Sequence, residues 1–253
     1  MRASAAQGHE VIALSRNGQH VEGATSAFSW AFTRPIPEQA CQSTECAIHL
    51  AHDFAGEAGA QRTIESTLSI VTQLRQQGVP KQLFVSSYSA GKHAESLYGE
   101  TKLSIERALA KQRDVVIIRP GLVLGAGGIY GRIRDWAQSY PVIPLPDGGY
   151  GKVPVIEIET LCQNILRIAA DPAPKHEENI FHRDLKSLRQ LVMEAADDVG
   201  RRPWILPIPS WPMLGVLMFA QWLRIPLPAN ADNLKGFLRN QKALHQSTIQ
   251  EDD

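Results

Sequence analysis

Tyr98 and Lys102 stand four residues apart in Tyr98-Gly99-Glu100-Thr101-Lys102. On a helix, that spacing puts both side chains on one face. A phenol is a poor base at neutral pH because its pKa lies near 10. A cation held beside it favours the phenolate and lowers that pKa, so the pair can serve as an acid/base device. Tyr-x-x-x-Lys alone is common on surface helices, and context raises its weight here. An apolar strand ending in Ser86-Ser87 precedes it, and another ending in Arg119-Pro120 follows. A hydroxyl at the first strand end could hold a substrate carbonyl oxygen while Tyr98 moves a proton.

The elements that must carry these residues follow from apolar patterning. Val11–Leu14, Ala47–Ala51, Gln82–Ser87 and Val115–Ile118 are short apolar runs and read as buried strands. Residues 62–77 carry Ile64, Leu68, Val71 and Leu74 at helical spacing, with Gly78 as C-cap and Pro80 beyond. Residues 96–111 and 159–170 read as further helices. Ser187-Leu188-Arg189-Gln190 is a capping-box pattern opening a helix that ends at Gly200. Strands apolar throughout and alternating with helices mean an α/β fold with a parallel sheet covered on both faces. Ligands in such sheets sit beyond the carboxyl ends of the strands. Those ends carry Ser15-Arg16, Ala51-His52, Ser86-Ser87 and Arg119-Pro120.

Composition narrows the function classes. The 253 residues are 43% hydrophobic and 21% charged, as in a globular protein. Lys plus Arg and Asp plus Glu each number 26, so no global basic field exists to hold a nucleic-acid backbone. Three cysteines, Cys41, Cys46 and Cys162, do not form a disulfide framework and suit a reducing cytoplasm. Pro203, Pro207, Pro209 and Pro212 interrupt the uncharged stretch 203–223, leaving only Met213–Leu223 for a helix. That is shorter than the ~20 residues a membrane span needs, so membrane attachment is not expected, although Trp211 and Trp222 would suit an interface.

Taken in order, these segments resemble the extended short-chain dehydrogenase/reductases, the NAD-dependent epimerase/dehydratase family. The likeness is carried by Gly8–Arg16, Ile48–Ala51, Phe84-Val85-Ser86-Ser87-Tyr88-Ser89-Ala90, Tyr98–Lys102, Arg119–Gly125, Val153-Pro154-Val155-Ile156 and Asn233-Leu234-Lys235-Gly236. The resemblance implies a Rossmann-like doubly wound parallel sheet over 1–125 and a substrate-binding lobe over 126–239, while the polar stretch 240–253 reads as a frayed tail. It implies a bound nicotinamide dinucleotide, a nucleotide-sugar substrate and a homodimer. Tyr98 becomes the general acid/base, and Lys102 holds the nicotinamide ribose and lowers the Tyr98 pKa. Ser87 matches the substrate-orienting hydroxyl, with Ser86 and Ser89 as competitors. Pro120 and Val123 match positions near the nicotinamide, and Leu50 and Ala51 the strand end on the adenosine side.

An acid after the strand ending at Ser15 would accept the ribose 2′-OH of NAD, whereas an arginine can pair with the 2′-phosphate of NADP. Ser15-Arg16 stands there, so NADP is expected over NAD. The main departure is at the start. The family opens with a strand and a Gly-x-x-Gly-x-x-Gly turn that holds the pyrophosphate. Here the sequence begins inside the following helix, which predicts a sheet lacking its first, central strand. A misplaced start, a decayed relative, or another segment replacing the loop would each account for this.

Other patterns carry less. Gly125-Ala126-Gly127-Gly128 fits no phosphate-loop pattern and reads as a loop. His49 and His52 would point to opposite faces of a strand, which is no metal site. Cys41-x4-Cys46 has no partner pair. Ser89-Ala90-Gly91-Lys92 matches Ser-x-x-Lys without its companion motifs. Arg132 and Arg134 could meet a diphosphate but suit exposed helix charges. A rival class is a non-catalytic nucleotide-binding or assembly subunit, favoured by the absent glycine turn and opposed by the retention of Tyr98 and Lys102.

Overall fold

Short β-branched runs form strands here, and longer stretches with a 3.6-residue apolar period form helices. A computed structural model describes residues 1–32, 34–215, 232, 236 and 245–249. Its main elements begin with α1 (Arg2–Ala6), β1 (Ile12–Ser15), β2 (Ser26–Ser29), β3 (Cys46–His49), α2 (Gly56–Gln76), β4 (Lys81–Val85), α3 (Leu97–Leu109), β5 (Val115–Pro120) and β6 (Leu122–Leu124). They continue with α4 (Gly128–Ser139), β7 (Val142–Pro146), β8 (Lys152–Val153), β9 (Val155–Glu157), α5 (Ile158–Ala170), β10 (Glu177–Ile180), β11 (Lys186–Ser187), α6 (Leu188–Asp197) and β12 (Trp204–Ile208).

The chain divides into two compact units that interleave in sequence. The first comprises Met1–Ser86, Thr101–Arg119 and Glu159–Glu178; the second comprises Ser87–Glu100, Pro120–Ile158 and Asn179–Asp253.

In the first unit, β3, β4 and β5 run parallel, in a four-stranded sheet of order β10-β5-β4-β3. β1 and β2 form a separate parallel pair, with Ile12 opposite Ser26 and Ser15 opposite Ser29. The α/β fold class holds, and the parallel strands of this unit form two separate sheets, the gap expected of a sheet without its central strand. All six residues of β5 are buried, as a strand covered on both faces requires. Each buried Val or Ile there contributes about 1.5–3 kcal/mol relative to exposure. Helices α2 and α3 cover one face: Val71, Phe84, Ile105, Leu109 and Val115 form one cluster. A second cluster, centred on Trp30, Ile70, Leu74 and Val79, takes in Ile12 and Leu14 of β1 and Ala47 of β3.

Helix α2 begins earlier than its apolar stripe suggests, because small residues Gly59 and Ala60 and the polar Thr63 are buried in its first turns. It ends where the stripe predicts. Gly78 adopts φ 82°, donating to Arg75 O, while Val79 donates to Leu74 O, and this left-handed closure suits glycine.

In the second unit, β6 pairs parallel with β9, β8 antiparallel with β11, and β7 parallel with β12. Pro144, Pro146 and Pro207 are tolerated because two-stranded sheets contain only edge strands. Ala137, Ile143, Leu145, Val192 and Ala195 form the core between α4, β7 and α6. The capping box at Ser187 forms in full, with Gln190 N–H donating to Ser187 Oγ and Ser187 N–H to Gln190 Oε1.

Of the expected helix 213–223, residues 213–215 are helical, while the remainder, with Trp222, lies outside the described residues. So do Asn233-Leu234-Lys235 and most of the tail 240–253. No helix among the described residues is long and apolar enough to cross a membrane.

Candidate active site

Strand β4 delivers Ser86 and Ser87 at its carboxyl end, and the two hydroxyls have different fates. Ser86 is 2% exposed and donates to Glu106 Oε1 at 2.5 Å. Glu106 also accepts from Arg119 Nε at 2.9 Å and Nη2 at 2.7 Å, and Arg119 Nη1 donates to Glu177 at 2.8 Å. Burial opposes the Arg119 charge, but the hydrogen bonds it donates to Glu106 and Glu177 outweigh it and hold the guanidinium protonated. Ser86 therefore belongs to a buried hydrogen-bond network of the first unit. Nothing local in the sequence announces this network, because Glu106, Arg119 and Glu177 are far apart in the chain.

Ser87 lies in the second unit and is half-buried. Its Oγ stands 2.8 Å from Ser89 Oγ and accepts from the Ser89 N–H at 3.2 Å. Between them, Tyr88 donates its N–H to Pro120 O at 3.0 Å, tying this turn to the end of β5. Val123 is half-buried in β6, paired with Ile156.

Tyr98 occupies the first turn of α3. That turn approaches the serine turn closely because residue 99 is glycine: a Cβ there would lie 2.7 Å from Ser89 O and 3.0 Å from Ser96 Oγ. Ser96 caps the helix by accepting from Gly99 N–H at 3.1 Å, and Asp232 accepts from Leu97 N–H at 2.6 Å. Both oxygens satisfy donors that a helix start leaves unpaired. Their capping roles were missed from sequence, although a serine three residues before Gly99 was a readable signal. The second unit thus brings the Ser87–Ser89 turn, Pro120 and the first turn of α3, which carries Tyr98, next to one another in the chain's fold.

Burial pushes the Tyr98 phenol up to about 12. This corrects the expectation of a lowered value. One helical turn on, Lys102 Nζ donates to Val85 O at 2.8 Å and lies 4.8 Å from the Phe84 ring centre. Lys102 is 2% exposed. Burial pulls it down to about 8, with Glu106 opposing. Tyr98 is therefore a proton donor at neutral pH, and Lys102 is a cation close to losing its charge.

The remaining expected binding residues belong to the first unit. Ser15 ends β1, and its hydroxyl is buried without a hydrogen-bond partner among the described residues. Arg16 is exposed just beyond, its carbonyl accepting from Ser29 Oγ at 3.0 Å. Leu50 and Ala51 follow β3 and are exposed. Asp53 accepts from Arg62 Nε at 2.9 Å and caps Ala55 N–H; the Arg62 hydrogen bond is the main cause holding its carboxyl low, with Arg16 a weaker one. His49 pairs with Gln82 at 2.9 Å. In α4, Arg132 is exposed and Arg134 half-buried. No group of three His, Cys, Asp or Glu residues able to hold a metal occurs among the described residues.

The orphaned Ser15 hydroxyl and the exposed Arg16 fit the adenosine end of a dinucleotide. They provide a buried polar atom that needs a partner and a cation beside it.

No family model and no curated protein sequence matches the chain. Solved structures do. Similar folds include UDP-N-acetylglucosamine 4-epimerase from Bacillus cereus, at TM-score 0.66 and 12% identity, over 82% of this chain and 79% of that one. Another is an NAD-dependent NDP-hexosamine 5,6-dehydratase of tunicamycin biosynthesis, at TM-score 0.67 and 15% identity, over 96% and 93%. The UDP-glucose 4-epimerase of Thermus thermophilus, solved with NAD, matches at TM-score 0.64 and 15% identity, over 96% and 94%. The chain has the Rossmann-like fold in which these nucleotide-sugar epimerases and dehydratases are built.

Proposed function

We propose that the chain is an NAD(P)-dependent oxidoreductase or epimerase acting at a hydroxyl- or carbonyl-bearing carbon of a nucleotide sugar. The observation that carries this is the Ser87–Ser89 hydroxyl pair set against the helix turn that bears a protonated Tyr98. A bound nicotinamide would supply or accept the hydride. Ser87 donates to the substrate oxygen, its hydroxyl oriented by Ser89. Tyr98 gives its proton to the alkoxide that develops on that oxygen, the direction a phenol with a raised pKa favours. Lys102 carries three donors; one is on Val85 O, and the same ammonium would also hold the nicotinamide ribose. Ser15 and Arg16 would hold the adenosine ribose, with Arg16 favouring NADP.

Adding NADPH to the purified chain with a panel of nucleotide sugars and their keto forms, and following nicotinamide absorbance, tests this. Turnover supports the reading. The commitment of Lys102 to Val85 O favours a second one, a nucleotide-binding subunit without catalysis. Cofactor binding without turnover across the panel supports that alternative.

A further inference from the structure

Within the second unit, residues 245–249 are fastened to the residues around the end of β10. Thr248 N–H donates to Asn179 O at 2.8 Å, and Asn179 N–H returns to Thr248 Oγ1 at 2.9 Å. Asn179 Nδ2 donates to Gln246 O at 2.9 Å, and Ser247 Oγ to Phe181 O at 2.5 Å. This segment belongs to the tail that composition marks as frayed, yet one backbone–backbone hydrogen bond and several side-chain bonds hold it in place.

The fastening reaches the serine turn. Tyr88 is 7% exposed and packs between two rings. Phe181 meets it edge-on at 5.1 Å, and His245 meets it at 5.2 Å and 76°. His245 Nε2 donates to Ala90 O at 3.1 Å. The Ala90 N–H in turn closes on Ser87 O at 3.0 Å. Tyr88 and Ala90 flank Ser89, so both neighbours of that residue are held by the strap or by Phe181, to which it is tied.

We propose that residues 245–249 are a positioning strap for the Ser87–Ser89 turn, with His245 as the positioning residue. Its value to catalysis rests on the reading of Ser87 given above. The strap touches no reacting atom. It fixes the turn, and the turn aims the hydroxyl; a misplacement of about 1 Å in such a group can cost on the order of 100-fold in rate.

The test uses the full chain, its His245→Ala and His245→Gln variants, and a chain ending at 244. Amide hydrogen exchange over residues 88–90 is read first, because it needs no substrate. His245→Ala should speed that exchange about tenfold, as loss of roughly 1.4 kcal/mol of local protection would. His245→Gln, whose amide can still donate to Ala90 O, should restore most of it. With NADPH and a turned-over nucleotide sugar, His245→Ala should lower kcat about tenfold with KM and cofactor affinity unchanged. Unchanged exchange at 88–90 in both His245→Ala and the shortened chain overturns the strap, whatever the activity. Faster exchange with unchanged kcat overturns its positioning role while leaving the proposed enzyme intact. Faster exchange in a chain without any turnover supports the strap and counts against the enzyme.

Discussion

The Ser86 hydroxyl is committed to the buried Glu106 carboxylate at 2.5 Å, while the hydroxyl of the next residue, Ser87, faces Ser89 at 2.8 Å. Adjacent residues at one strand end therefore differ in kind, as alternation along an extended chain requires.

Ser86→Ala and Ser87→Ala should separate cleanly. Ser86→Ala leaves a buried carboxylate oxygen short of a donor and should cost about 1–3 kcal/mol in urea unfolding. Ser87→Ala should leave stability within about 0.5 kcal/mol. It should lower kcat by about 100-fold, the usual loss of an oriented donor. Equal stability losses in the two variants would contradict the distinction.

Gly99→Ala should impair turnover without touching any reacting group. The new Cβ would lie 2.7 Å from Ser89 O, a backbone atom, so the serine turn or the start of α3 must shift. A kcat loss of roughly tenfold or more is expected at near-wild-type cofactor affinity. Wild-type kcat would mean the close approach is not needed.

Lys102 gives a pH signature. Its pKa is about 8 in the folded chain, lowered by burial with Glu106 opposing, against an ordinary value of 10.5. Between those values the unfolded chain holds a proton that the folded chain does not, so this group makes stability rise with pH across about 8 to 10.5. Below 8 both states are protonated and its contribution is constant at its least favourable level. The total is on the order of 3 kcal/mol. Subtracting the unfolding profile of Lys102→Met from wild type should isolate that rise. In the free enzyme, kcat/KM should fall above pH ~8 as the ammonium is lost, while Tyr98, at about 12, stays protonated throughout.

Arg16 should set cofactor choice. Arg16→Ala should weaken NADP binding about tenfold or more and leave NAD nearly unchanged, since only the 2′-phosphate gains a charge-assisted bond. Isothermal titration with both cofactors reads this directly. Equal losses would place Arg16 on a group the two cofactors share.

Much of the first unit's pattern is local and was therefore legible in the sequence. The run Val115–Ile118 is apolar throughout because its strand is covered on both faces, and Gly78 marks the end of α2 by its left-handed turn. The Ser187 capping box is legible because both partners lie within one helical turn. What stayed hidden depends on distant partners. β2 is Ser26-Ala27-Phe28-Ser29, too short and polar to stand out, and becomes a strand through β1. β7 and β12 contain prolines and read as loop until each supplies the other's edge. The Tyr98 pKa is set by burial, which helical spacing does not reveal.

The most direct measurement is turnover by Tyr98→Phe with NADPH and a nucleotide sugar that wild type converts, alongside its cofactor affinity. The lost hydroxyl is the proposed proton donor. Expected are unchanged cofactor binding and a kcat lower by about 100-fold or more. Undiminished turnover in that variant would contradict the role assigned to Tyr98 and, with it, the mechanism.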